Sequence, residues 1–281
     1  MRRISTDSFD STIPTAMPGS SLKGADMNAS DHTIHTDTDG LEAGAFDLPV
    51  NGGTMQAYYA APAGNKNLPV VLVVQEIFGL NEHTQDVCRR IAKLGYFAVG
   101  ANLYQRQGAA ETYTDIPKLI SEIVAKVPDE QVLSDLDSSV AWAARQGANA
   151  QRVGITGFCW GGRLTWMYAA HNANVRAGVA WYGKLTQGHG PLIKRNAVDI
   201  VGELKGPVLG LYGGLDKSIP VADVDIMRDK LKGGNEAAKA SELVVYPESD
   251  HAFFADYRAN YREPDAKDGW RRLTDWFKQY L

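Results

Sequence analysis

The residues with most to say about chemistry are Gly157-Phe158-Cys159-Trp160-Gly161, a Gly-x-Cys-x-Gly pentapeptide. A short apolar run, Arg152–Thr156, precedes it, and a helix-length segment, Gly161–Ala170, follows. Strand, glycine-flanked nucleophile and helix make the elbow pattern, here with cysteine in the serine position. A sharp strand-to-helix turn forces the central residue into strained backbone geometry. Glycines two residues to either side remove side chains that would collide with neighbouring backbone. The sulfur then projects at a helix N-terminus, where the dipole favours thiolate. The backbone N–H of Trp160 is placed to act as an oxyanion donor. Without its flanking elements, Cys159 would read equally as a small buried filler on a Gly-rich turn.

A thiol nucleophile needs a base, and the base needs an acid to orient it. With an elbow of this kind the order along the chain is nucleophile, acid, histidine, each at a strand exit. Asp216 closes the run Pro207–Tyr212 followed by Gly213-Gly214-Leu215, and His251 follows Glu242–Tyr246. His251 would take the thiol proton and return it to the leaving group; Asp216 would fix the tautomer and stabilise the imidazolium. His32 and His35 fall in an N-terminal polar stretch, and His83, His171 and His189 at helix ends or in a loop. Asp223 and Asp225 are alternative acids within the next helix, and Asp250 is another beside the histidine.

These residues need elements to hold them. Ala45–Val50 and Thr54–Ala60 around Asn51-Gly52-Gly53 predict a β-hairpin. Strands are expected over Pro69–Val74, Tyr96–Ala101, Arg152–Thr156, Ala177–Tyr182, Pro207–Tyr212 and Glu242–Tyr246. Helices are expected over Glu82–Leu94, Ile116–Lys126, Asp129–Arg145, Gly161–Ala170, Val221–Lys232 and Asp265–Tyr280. Continuous rather than alternating apolar runs indicate strands buried on both faces. The reading is an α/β fold, a mostly parallel central sheet with helices on both faces. Residues 44–281 form one domain; residues 1–43, low in aromatics and rich in turn formers, read as a flexible polar tail.

Composition bounds the function. The chain has 281 residues and a net charge of −4, which argues against a nucleic-acid partner. No run approaches the length of a membrane span. Met1-Arg2-Arg3 is a basic start, but no apolar segment follows it, so a cytoplasmic location is expected unless a leader lies upstream. Cys88 and Cys159 are too few for a disulfide framework or a four-cysteine zinc site. Neither metal-ligand spacing nor a phosphate loop occurs, so no metal and no organic cofactor is expected.

The same residues resemble the dienelactone hydrolase (carboxymethylenebutenolidase-like) family, the branch of the α/β-hydrolase fold with cysteine at the elbow. The likeness runs from about Ala45 to Leu281. It includes Gln75-Glu76-Ile77-Phe78-Gly79, similar to the family's Q-E-I-F-G, Leu103-Tyr104-Gln105-Arg106, like its L-Y-x-R, and His251-Ala252-Phe253, like its H-x-F. The resemblance implies a Cys159–His251–Asp216 triad that cleaves a small-molecule ester or lactone. It implies that Glu76 contacts the resting thiol and moves when substrate binds, that the Ile77 N–H is the second oxyanion donor, and that Arg106 meets a substrate carboxylate. Members that cleave dienelactone carry a second arginine four residues after the histidine; here that position is Ala255. Arg258 or Arg262 could reach inward instead, and Asn102 replaces the usual Asp before Leu-Tyr. The competing readings are a ligand-binding or regulatory member of the fold without turnover, and a thiol sensor built on Cys88 and Cys159. Monomer and homodimer are both compatible with the sequence.

Overall fold

The computed structural model describes residues 33–281. Among these, eight strands form one sheet in the order β1-β2-β4-β3-β5-β6-β7-β8. β1 (Leu41–Val50) and β2 (Gly53–Pro62) are the predicted hairpin, antiparallel in register from Leu41↔Pro62 to Val50↔Gly53. β2 runs antiparallel to β4 (Phe97–Ala101); every later pairing is parallel. β3 (Pro69–Val74), β4 and β7 (Val208–Gly213) are buried throughout, as their unbroken apolar runs require. β3 and β5 (Asn149–Phe158) occupy the middle, β6 (Val175–Trp181) lies beside β5, and β8 (Glu242–Tyr246) forms the far edge.

Helices cover both faces. α1 (Glu82–Lys93), capped by the Asn81 side chain accepting from Thr84 N–H at 3.0 Å, lies with Cys88 against Gly100 of β4. α7 (Glu263–Tyr280) reaches the same face, where Phe277 and Leu281 lie over Gly154. α3 (Asp129–Arg145) packs on β1, β3, β4 and β5, and α4 (Trp160–His171) presses Thr165 onto Gly178 of β6 from the opposite face. α5 (Val221–Lys232) follows β7. The predicted helix over 116–126 is shorter: α2 (Ile116–Glu122) stops where Ile123 departs from helical geometry, and one tight turn, Val124–Lys126, follows.

Among the strands, the largest boundary shifts are at two starts: β1 begins at Leu41 rather than Ala45, and β5 at Asn149 rather than Arg152. The stretch just before β1 is also held down. Thr36 N–H donates to Asp86, Arg89 donates to the Thr36 carbonyl at 2.7 Å, and Ile34 N–H donates to Asp256 at 3.2 Å. Residues 33–43 therefore pack on the domain; the remainder of the predicted tail lies outside the described residues. No helix among the described residues is long and apolar enough to cross a membrane.

The crossover direction reverses between β3 and β5, since β4 lies on one side of β3 and β5 on the other. In open α/β sheets such a switch point leaves a crevice at the carboxyl ends of the strands. The segments carrying Glu76, Cys159, Asp216 and His251 all leave the sheet at that edge.

Candidate active site

Cys159 joins β5 to α4 at φ 56° and ψ −111°, a region that non-glycine residues avoid. Its N–H is tied to the Trp181 carbonyl at 3.0 Å, which anchors the turn to β6. The flanking glycines are needed for close approach. A Cβ on Gly157 would collide with the Gly161 carbonyl, and one on Gly161 would sit 2.5 Å from the Val74 carbonyl oxygen. Trp160 is the first residue of α4, so its N–H is among those a helix leaves without an internal partner. Ile77, the other expected oxyanion donor, is buried at the exit of β3.

Cys159, His251 and Asp216 are brought together. His251 Nδ1 lies 2.6 Å from Asp216 Oδ2, and the Cys159 sulfur is near enough to the ring to favour its charged form. The second Asp216 oxygen accepts from Ser218 N–H at 2.8 Å, the Ser218 hydroxyl at 2.7 Å and Ile219 N–H at 3.2 Å. Burial opposes a charge on the His251 ring, but the Cys159 sulfur and the Asp216 carboxylate outweigh it and push the ring up to about 10. Burial likewise raises the Asp216 carboxyl, and the His251 and Ser218 contacts more than reverse this, leaving it below the usual range. The alternative acids are engaged elsewhere. Asp223 accepts from Thr186 at 2.7 Å, Asp225 pairs with Arg228, and Asp250 accepts from the His251 N–H.

Glu76 departs from expectation. It is 3% exposed, and its Oε2 accepts a short hydrogen bond from the Tyr257 hydroxyl, while Oε1 has no hydrogen-bond partner among the described residues. Among the described residues it makes no hydrogen bond to the Cys159 thiol. Tyr257 comes from the segment after β8, and its phenol is a proton donor that nothing near Glu76 in sequence supplies.

Arg106 is likewise placed otherwise than expected. Its guanidinium bridges both oxygens of Asp135 on α3, at 2.6 and 2.9 Å, and donates to the Asn51 carbonyl at 3.1 Å. Asp135 is only 1% exposed, so the arginine neutralises a buried charge and is not free for a substrate carboxylate. The cation beside the thiol is Arg258, over the Phe78 ring at 5.4 Å and within electrostatic reach of Glu76, Tyr182 and Cys159. Arg262 does not reach inward; it pairs with Glu248 and with Asp265.

Several residues around the triad carried no sequence signal. Tyr182, at φ 37°, places its ring 5.2 Å from that of His251. His189, read as a loop residue, sits close enough to feel His251; burial first, then Lys184 and Arg163, hold it down at about 4. Asp256 pairs with His83 at 2.9 Å and Arg90 at 2.6 Å, the first two almost wholly buried, and so pins the segment carrying Tyr257 and Arg258 onto α1. Cys88 is fully buried under α1, and burial pushes its thiol far above the ordinary range. Both cysteines are free thiols. Among the described residues no group of three His, Cys, Asp or Glu side chains could hold a metal ion.

Residues 55–281 match the model of the dienelactone hydrolase family. A protein of Methylorubrum extorquens provisionally named as a carboxymethylenebutenolidase is 55% identical over 253 residues, covering 90% of this chain and 86% of the relative. A Salmonella typhimurium protein with the same provisional name is 54% identical over 248 residues, 88% of this chain and 91% of that one. Among solved structures, a provisional dienelactone hydrolase from Klebsiella pneumoniae superposes with a TM-score of 0.82 at 54% identity. The match covers 85% of this chain and 99% of that one.

Proposed function

From the premise that this chain belongs to the dienelactone hydrolase family, we propose that it cleaves its ester or lactone with Cys159 as nucleophile, through a thioester acyl-enzyme. The carrying observation is that His251 pairs with Asp216 at 2.6 Å and that the same ring lies within electrostatic reach of the Cys159 sulfur. A thiol joined through an imidazole to a buried carboxylate is the arrangement that activates a nucleophile and recycles its proton.

The thiol proton passes to His251, and the sulfur adds to the substrate carbonyl. The N–H groups of Ile77 and Trp160 receive the resulting oxyanion. Collapse breaks the acyl C–O bond, and the departing alkoxide takes the proton from His251. In a lactone that oxygen stays tethered to the acyl group. The neutral ring then draws a proton from water as the oxygen adds to the thioester carbonyl, and a second collapse releases the acid and restores the sulfur. A thioester forms readily from an ester with a good leaving group or from a strained ring. A lactone, enol ester or activated ester therefore suits this site better than an amide.

Arg258, not Arg106, is the cation placed to meet a negatively charged group on the substrate. A cytoplasmic setting agrees with two unpaired thiols. The test is turnover of p-nitrophenyl acetate and a lactone panel by wild type and Cys159→Ala. Loss of at least a hundredfold in the variant is expected on the order seen for triad nucleophiles; equal rates would overturn the reading. The competing reading, a binding protein without turnover, predicts no hydrolysis by wild type and no labelling of Cys159 by iodoacetamide.

A further inference from the structure

We infer that Tyr257 is a positioning residue for the nucleophile: by holding Glu76 through a hydrogen bond, it keeps that carboxylate off Cys159 and leaves the thiol to His251. The inference rests on the reading of Cys159 as nucleophile and concerns how its proton partner is chosen.

The backbone sets up a competition. β3 and β5 are parallel neighbours whose last pair is Val74 opposite Gly157, and Glu76 and Cys159 each stand two residues beyond that pair. Continued register brings Glu76 and Cys159 out of adjacent strands at matched positions. The Glu76 carboxylate is buried and makes no arginine or lysine ion pair among the described residues, so it depends on hydrogen-bond donors. Tyr182 after β6, and Tyr257 with Arg258 after β8, lie within electrostatic reach of it; the Cys159 elbow is related to it by the strand register. Of these, only Tyr257 makes a hydrogen bond to it, to Oε2; Oε1 has no donor among the described residues. Burial, reinforced by Glu76, raises the Tyr257 phenol well above its ordinary range, so it stays protonated and keeps donating.

Two proton donors are thus available to one carboxylate, and they have opposite consequences. When Tyr257 donates, Cys159 is free to give its proton to His251. Were the thiol to donate to Glu76 instead, the bond would favour neutral sulfur, the state that does not attack carbonyls. The segment carrying Tyr257 is fixed by the adjacent Asp256, itself paired with His83 and Arg90 on α1, so the phenol is held in place by the domain core.

The experiment compares full-length wild type, Tyr257→Phe, Glu76→Gln and the double variant. Iodoacetamide labelling of the Cys159 peptide is followed by mass spectrometry from pH 5.5 to 9, beside kcat and KM for p-nitrophenyl acetate. Tyr257→Phe should slow labelling at pH 7 by about tenfold, equivalent to about one pH unit in thiolate formation, and shift the profile upward. Its turnover loss should fall on kcat rather than KM. Glu76→Gln should label at least as fast as wild type, and Tyr257→Phe added to it should change the rate by less than about threefold. Wild-type labelling in Tyr257→Phe, or equal slowing in the Glu76→Gln background, would overturn the inference. Wild type no more active than Cys159→Ala would instead overturn the nucleophile assignment on which it stands.

Discussion

His251 Nδ1 and Asp216 Oδ2 are 2.6 Å apart, and the other oxygen of that carboxylate is held by three donors from Ser218 and Ile219. The acid is fixed on both sides before it touches the ring. With Nδ1 bound to Asp216, the other ring nitrogen is the one left for sulfur. Asp216→Asn would keep the shape and lose the acceptor that sets this tautomer. Its kcat for p-nitrophenyl acetate should fall about 10²–10⁴-fold with little change in KM. A loss below threefold would show that the carboxylate does not orient the ring.

The same pair makes stability depend on pH. The ring keeps its proton up to about 10 in the folded chain against an ordinary value of 6.5. Its stabilisation is therefore complete below pH 6.5 and is lost as pH rises toward 10. Urea unfolding of wild type and His251→Gln should show wild type losing about 1–3 kcal/mol more than the variant between pH 6 and pH 9.5, at roughly 1.4 kcal/mol per unit. Parallel losses would contradict the shift.

Gly161 lies 2.5 Å, by any added Cβ, from the Val74 carbonyl and 2.6 Å from that of Gln75. Both neighbours are backbone and cannot swing aside. Gly161→Ala should destabilise by about 2–4 kcal/mol, read as a lower urea midpoint, and should displace the elbow. Wild-type stability would mean the β3–α4 contact is looser than described.

Arg258 and Arg106 should separate cleanly. Arg258→Ala is expected to raise KM about tenfold or more for a carboxylate-bearing ester while leaving a neutral ester within about threefold, as one charge-assisted contact is worth about 1.5–3 kcal/mol. Arg106→Ala strands the buried Asp135, so about 3 kcal/mol of stability should be lost with substrate preference unchanged. The opposite pattern in a paired steady-state and melting experiment would return the carboxylate role to Arg106.

What could be read from the sequence was what local chemistry determines. The Gly-x-Cys-x-Gly spacing carries its own explanation, because Gly157 and Gly161 answer to backbone atoms of the turn and its neighbour strand. Unbroken apolar runs such as Pro69–Val74 mark a doubly covered strand without any knowledge of partners. Strand-exit position was enough to single out Asp216 and His251. The misplacements share one cause, partners distant along the chain. Arg106 is claimed by Asp135, 29 residues away, and Glu76 by Tyr257, 181 residues away. Nothing near Arg106 or Glu76 announces those pairings. Leu41–Ala43 reads by composition as part of the polar tail, and strand pairing with Ala60–Pro62 makes it β1 regardless.

The positive φ of Cys159 sets activity against stability at one residue. A side chain held in that region costs of order 1–3 kcal/mol, and glycine is the residue that avoids the cost. Cys159→Gly should therefore melt higher than Cys159→Ala, whose Cβ keeps the strain, although both lack the sulfur. Drift toward a sturdier chain is thus open by a single substitution at this turn, and the hydrolysis proposed for Cys159 is what such a substitution would remove.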